Sequence, residues 1–463
     1  MELLQKLARI NRWWITGHID AAFLPRTVRS EFNDIVSKLN DRRITAIVGP
    51  RRVGKSTLII QVMQHLLHGG TDPKRVIFFS CDDPMLFMTN TTIDALLDAY
   101  TSGFLYEDLY NLTEPIYVFI DEIHTVANWS QYLKAFHDRR VKAKFVISGS
   151  SSAHLFQGAH ESLLGRIEEI KVLPLSFAEF ISFHHAYRSK GALFNLPQGS
   201  CFDDPHEYVA CLQESALQLN AIAPQVNKLL QEYLLVGGYP EYFETDNLLA
   251  WQKRLAEDIV SRGLYRDIVS VFNVKNPEVL ERLLYLIAEN TSQGQAYATL
   301  AANLGVDALT VSSYLSYLSQ AFLVTVQESF STNMSKIIRK NKKLSVVDNG
   351  LRNALLKLDQ LTPTEIGLLA EGMVVQMARA YAERNMYGVY YWREDQKEVD
   401  AVVDKKTTIL ALEVKYRNQI AASDLKGLKA FSSRYSPKHL VVVTKEKLES
   451  SDGIAYIPLW LLR

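Results

Sequence analysis

The chain is poor in cysteine, carries no excess charge and has no long apolar run. Its three cysteines, Cys81, Cys201 and Cys211, stand far apart and form no paired ligand motif. That argues against a disulfide framework or a structural zinc site and suits a reducing compartment. Lys and Arg total 51 and Asp and Glu total 51, so bulk charge implies no nucleic acid and local patches must carry any such contact. No segment approaches the roughly 18 consecutive apolar residues of a membrane span. The start, Met1-Glu2-Leu3-Leu4-Gln5-Lys6, lacks a basic segment leading into an apolar core. The expectation is therefore a cytoplasmic protein with no membrane partner. No repeat or low-complexity tract is evident, and 463 residues suit roughly two to four domains.

Against these absences stands one dense signal, Gly49-Pro50-Arg51-Arg52-Val53-Gly54-Lys55-Ser56. It follows the apolar Ile44–Val48, which reads as a buried strand, and precedes an apolar-faced helix from Ser56. Such a loop turns backbone N–H groups toward phosphate oxygens, helped by the helix N-terminus. Lys55 is expected at the β and γ phosphates of ATP, with the Ser56 hydroxyl on Mg2+. Apolar runs ending at Ser80, Asp121 and Ser148, separated by helix-length stretches, predict a parallel sheet covered on both faces.

The run Ile116–Asp121 ends in Asp121-Glu122, placing two carboxylates at the ligand edge of that sheet. Asp121 suits magnesium through water, and Glu122 suits the activation of the attacking water. Ser148 ends the next strand and suits either the γ phosphate or its own turn. Arg166, Arg139 and Arg140 are candidates for reaching a phosphate from a neighbouring subunit, which would require a homo-oligomer.

From Pro174 the pattern turns helical, broken at Gly237-Gly238-Tyr239-Pro240. Leu283 to Val326 gives helix, turn, helix and strand, compatible with a winged helix-turn-helix. Its second helix, around 311–318, has no Lys or Arg, which weakens direct base reading. Lys336, Arg339, Lys340, Lys342 and Lys343 follow as an acid-free basic cluster, suited to phosphate contact or to a solvated hairpin tip. Beyond about Thr364 the chain is again α/β. Glu413 and Lys415 share one strand face, Asp400 lies on the preceding strand, and Glu371 lies on a helix before it. These groups suit metal-dependent phosphodiester cleavage, with Glu371, Asp400 and Glu413 on the metal and Lys415 steadying the water or developing charge. They equally suit an inert cross-strand ion-pair face that includes Glu398.

Taken together, the stretches Gly49 to Thr57, Tyr117 to His124, Val146 to Ser151, Gly165-Arg166 leading to Phe180, Leu235 to Pro240, Leu344 to Ala354, Glu371-Gly372, Tyr391 to Arg393, Glu398 to Asp400 and Glu413 to Tyr416 resemble a prokaryotic family. It is the archaeal-type branch of the AAA+ P-loop ATPases, whose C-terminal part is a catalogued domain of unknown function. The resemblance implies an α/β fold with a P-loop parallel sheet, a helical and winged-helix middle and a C-terminal domain similar to the restriction-endonuclease fold. It implies boundaries at 1–175, 176–270, 271–345 and 346–463, and phosphate-loop contacts that extend to Thr57. The nuclease-type acid, Asp and Glu-x-Lys pattern falls on Glu371, Asp400, Glu413 and Lys415. Two functions are then expected to compete. One is an ATPase driving a DNA-associated activity, with phosphodiester cleavage by the C-terminal domain as its finer form. The other is an ATP-driven switch whose winged helix and inactive nuclease-like tail hold a protein partner.

Overall fold

The computed structural model describes residues 2–87, 91–149, 163–188, 199–333, 337 and 340–463. It divides into two compact units, Met1–Pro174 with Tyr265–Val274 and Gln320–Phe322, and Leu175–Leu264 with Lys275–Ser319 and Leu323–Arg463.

The first unit is built on a five-stranded sheet in the order β2-β3-β4-β1-β5. Its strands are β1 Ile44–Val48, β2 Val76–Ser80, β3 Ile116–Asp121, β4 Ala143–Gly149 and β5 Ile167–Lys171, all paired in parallel. Every residue of β1 is buried, as a strand covered on both faces requires. β2 is an edge strand, and the N-terminal segment masks it. The Asn11 amide donates to the Phe78 carbonyl at 3.0 Å and accepts from the Phe78 N–H at 2.7 Å, while the Trp13 and Trp14 indoles both donate to the Val76 carbonyl. A side chain thus completes hydrogen bonds that an open edge would leave to another chain. β5 was not foreseen as a strand. Its Glu168, Glu169 and Lys171 dilute the apolar signal, and its place is set by pairing along β1 from Ile44↔Ile167 to Val48↔Lys171.

The second unit begins with helices, including Phe177–Arg188, Ala216–Val236 and Pro277–Glu289. Helices Tyr297–Leu304 and Ala308–Gln320 follow, between β6 Gln293–Gln295 and the pair β7 Val324–Ser329 and β8 Lys342–Val346. Further along lie β9 Gly388–Glu394, β10 Lys397–Asp404, β11 Ile409–Lys415, β12 His439–Thr444, β13 Glu449–Ser451 and β14 Ile454–Pro458. All of them join one nine-stranded sheet, β13-β14-β12-β11-β10-β9-β7-β8-β6. β7 pairs in parallel with β9, so the hairpin after the two helices is continuous with the C-terminal strands. The core on one face of that sheet gathers Trp392, Val399, Val402, Ala411, Leu428 and Phe431.

The expected fold class holds: a P-loop type parallel sheet, a helical region and a C-terminal β-rich part. No helix among the described residues is long and apolar enough to cross a membrane.

Candidate functional site

The loop between β1 and the helix Lys55–His68 is held from beneath. A Cβ on Gly49 would lie 1.9 Å from the carbonyl oxygen of Val172, so only glycine lets the chain pass there. Arg29, buried, donates to the carbonyls of Val53 and Leu173, each at 2.8 Å, and braces the loop. Pro50 and Val53 are buried, while Arg52 and Ser56 are exposed and Thr57 is half-buried on the helix's first turn. Arg51 forms a bidentate pair with Asp267, Nε to Oδ2 at 2.5 Å and Nη2 to Oδ1 at 2.9 Å. Two forked, charge-assisted bonds fix the guanidinium plane above the loop.

Lys55 is 5% exposed, and its ammonium curls back to the carbonyls of Gly49 and Pro50, each at 2.9 Å. Burial pushes its pKa down, while the nearby charges of Glu122 and Asp121 pull it up. The Ser56 hydroxyl donates to Oδ2 of Asp121 at 2.6 Å, and the Ser148 hydroxyl donates to Oδ1. The Glu122 N–H in turn donates to the Ser148 oxygen at 3.2 Å. One buried serine therefore ties the ends of β3 and β4 together at the two carboxylates.

Glu122 sits at φ 48°, in the left-handed region, just past β3. A non-glycine residue there is uncommon, and the turn separates its side chain from that of Asp121. Its Oε2 lies 3.3 Å from Nδ1 of His124. Burial, with the Asp121 charge beside it, pushes the Glu122 carboxyl above the ordinary carboxylate range, against the pull of Lys55. The Ser56 hydroxyl and Asp121 carboxylate are hard oxygen donors of the kind magnesium takes, and they already converge, so the residues present fit that ion.

Arg166 stands elsewhere. Its backbone carbonyl accepts from the Ile44 N–H at 2.8 Å, at the start of β1 and β5, whereas the phosphate loop leaves the other end of β1. Its guanidinium pairs with Asp138, Nε to Oδ1 at 2.7 Å. Parallel pairing thus puts it at the opposite edge of its own chain's sheet from the phosphate loop, and the role expected for it was on the nucleotide of a neighbouring subunit.

In the second unit the C-terminal carboxylates converge on a cation that the sequence did not single out. The Lys343 ammonium, on β8 and 3% exposed, lies 2.6 Å from Oε1 of Glu371 and 3.3 Å from Oδ1 of Asp400, and it also pairs with Glu398. Glu371 comes from the helix Pro363–Asn385, and Glu398 and Asp400 from β10. Their oxygens lie within 4.8 Å of one another. Burial works against the charged Lys343, but Glu371, Asp400 and Glu398 outweigh it and hold its pKa well up.

Asp400 also accepts from the Val414 N–H at 2.9 Å, which fixes it against β11. Glu413, 5% exposed, pairs through Oε1 with Lys415, while its Oε2 is buried without a hydrogen bond. Burial and the Asp400 charge push the Glu413 carboxyl upward, and burial does the same to Glu371. Of the expected metal group, Glu371 and Asp400 come together with Glu398 as the third member, and Glu413 stands beside them paired to Lys415.

The expectation for the basic cluster is corrected at Lys342 and Lys343, while Lys340 is exposed. Lys342 and Lys343 are buried and paired inward, Lys342 to Glu328 at 3.0 Å, because they belong to an interior strand and not to a solvated tip. Lys336 and Arg339 lie outside the described residues.

Residues 41–181 match a family described as an AAA domain. Residues 227–362 and 366–462 match two families described as domains of unknown function (DUF8612 and DUF4143). An uncharacterized protein of Haemophilus influenzae is 25% identical over 430 residues, covering 91% of this chain and 94% of the relative. An uncharacterized protein of Methanocaldococcus jannaschii is 26% identical over 377 residues, covering 80% and 74%. Among solved structures, a Walker-type ATPase of Pyrococcus abyssi aligns with TM-score 0.42 at 16% identity over 71% of this chain and 95% of that one. The Aeropyrum pernix Orc1 protein, solved in complex with DNA, aligns with TM-score 0.32 at 11% identity over 75% and 96%. The stretch that carries this parallel sheet and phosphate loop is thus the part of the chain that is similar to an AAA domain.

Proposed function

We propose that the chain hydrolyses ATP with magnesium at the Gly49–Ser56 loop and uses the cycle to drive or switch a DNA-associated activity of its C-terminal part. The observation that carries the first half is the hydrogen-bonded chain Ser56, Asp121, Ser148 and Glu122 beside the buried Lys55 ammonium of the loop. Lys55 exchanges its two carbonyl bonds for phosphate oxygens, and the loop N–H groups orient the phosphates. Magnesium, when held by Ser56 and Asp121, supplies positive charge at the phosphate oxygens. Glu122 accepts the proton of the attacking water at its carboxylate, and Ser148 holds the Glu122 backbone in place for that transfer. Because Arg166 lies at the far edge of its own sheet, a phosphate role for it requires a second copy of the chain, and a homo-oligomer is part of this reading.

In the same reading residues 1–175 are the ATPase domain, 176–270 a helical region, 271–345 a winged-helix-like domain and 346–463 a restriction-endonuclease-like domain, in a cytoplasmic protein. The helix pair Tyr297–Leu304 and Ala308–Gln320 followed by β7 and β8 supports the winged helix. Asp400, Glu413 and Lys415, with Glu371, are the cleavage candidates. Full-length protein incubated with magnesium or manganese and several DNA forms is expected to nick or cut. Glu413→Ala is expected to lower that activity about a hundredfold while ATP turnover stays unchanged. Intact DNA under every metal and form, with ATP turnover present, would remove cleavage from the proposal.

One observation favours the second reading, an ATP-driven switch with a binding tail. Lys343 already neutralises the carboxylates that a catalytic ion would need.

A further inference from the structure

The carboxylate cluster of the second unit contains its own cation. Glu371, Glu398 and Asp400 bring oxygens within 4.8 Å of one another, the spacing of a divalent-ion site, and the Lys343 ammonium is within ion-pair distance of all three. The arrangement is built in from several elements. Lys343 reaches in from β8, Glu371 from a helix and the other two acids from β10. A second, independent sign of an ion site is Glu413. It stands across from Asp400, since Ala401↔Leu412 pairing places the two residues opposite each other on one sheet face. Its Oε2 is buried with no hydrogen bond. A carboxylate oxygen left so is costly unless a cation serves it.

Charge counting adds to this. Four acids, Glu371, Glu398, Asp400 and Glu413, face three cations, the Lys343 and Lys415 ammonium groups and the Arg393 guanidinium 3.6 Å from Glu398. The cluster retains one acid in excess, which a divalent ion in place of the Lys343 ammonium would neutralise.

We infer that Lys343 is a resident counter-cation that occupies the divalent-ion position, so that metal enters only by displacing it, and the site is held closed to metal until Lys343 moves. This inference rests on the proposed carboxylate site and adds to it a regulator that comes from the β8 hairpin strand. Because that strand pairs with β7, which in turn pairs with β9, a shift of the hairpin moves the plug relative to the acids it neutralises. The partner class is a hard divalent cation, as expected for all-oxygen donors.

The test is manganese binding to the full-length chain, read by the electron paramagnetic resonance signal of free Mn2+. Lys343→Gln, which keeps a hydrogen-bond donor for Glu371, is expected to bind Mn2+ at least about tenfold tighter than the wild type. The gain should vanish in the double variant Lys343→Gln with Glu371→Gln, which assigns it to this cluster and not to Ser56 and Asp121. Equal affinity in wild type and Lys343→Gln overturns the inference.

Should the variant fail to fold, the wild type still decides. Lys343 is expected to resist reductive methylation without metal and to become reactive in saturating Mn2+, as read by peptide mass. Unchanged reactivity overturns the inference. The two proposals fail separately: wild type that cuts DNA with Lys343→Gln unchanged in Mn2+ affinity sinks the plug alone, and a tightened Mn2+ site with no cutting by either form sinks cleavage alone.

Discussion

Glu122→Gln is expected to lower ATP turnover by about a hundredfold to a thousandfold while nucleotide binding is kept, the effect of removing a general base from an otherwise intact site. The substitution is nearly isosteric, and Glu122 is fixed by its backbone: its N–H donates to Ser148 at 3.2 Å and its φ is 48°. Neither depends on the carboxylate. Burial and the Asp121 charge make the charged form of this acid costly and so raise its affinity for a proton, which suits a group that accepts one. Asp121 is held differently, with both oxygens taken by the hydroxyls of Ser56 and Ser148. In the proposed mechanism two adjacent acids then have different work, one holding and one accepting. Phosphate release in steady state, beside titration with a fluorescent ATP analogue, checks the split between turnover and binding. Loss of binding in parallel with turnover would show that Glu122 holds the nucleotide.

Gly350→Ala is expected to destabilise the second unit by about 3 kcal/mol or more, at the upper end of what overpacking costs. A Cβ there would lie 1.8 Å from the Val236 carbonyl oxygen and 2.9 Å from the Gly237 nitrogen. Both obstacles are backbone, so no rotamer change relieves them. The position is the meeting point of two chain stretches. Asp348 accepts from the Gly238 N–H at 2.7 Å and from the Leu351 N–H at 2.8 Å, capping the helix Asn349–Leu355. The Asn353 amide then donates to the carbonyls of Leu234 and Leu235 at the end of the helix Ala216–Val236. These bonds satisfy carbonyls that a helix end leaves open. Urea unfolding followed by far-ultraviolet circular dichroism checks the expectation, and an unchanged midpoint would mean that the two stretches separate without cost.

The phosphate loop was legible because its chemistry is local. Glycine at the crossing, Lys55 and Ser56 at the helix start, and an apolar strand on each side of the sheet all fall within short windows. Asp121 and Glu122 were legible for the same reason, at the end of a run that is buried on β3. What the sequence hid is the long-range pairing. Arg29 braces the loop from 24 residues away, and Asp267 meets Arg51 across a separation of 216. Neither carries a signature of its own.

Lys343 was hidden more thoroughly, because five basic residues between 336 and 343 look like a solvated patch. On β8 the alternation of faces sends Lys342 toward Glu328 and Lys343 toward Glu371 and Asp400, the latter acids 28 and 57 residues away. Glu398 was visible only as a possible ion-pair partner. Its place beside Glu371 and Asp400 depends on where the helix Pro363–Asn385 crosses the sheet.

Phosphate release from ATP and magnesium by the full-length chain, with Lys55→Ala measured beside the wild type, tests the central claim most directly. The account predicts steady release by the wild type and none above background in Lys55→Ala, since that ammonium, now bonded to the carbonyls of Gly49 and Pro50, is the group that turns to the phosphates. Equal release by the two proteins, or none by either, would contradict it.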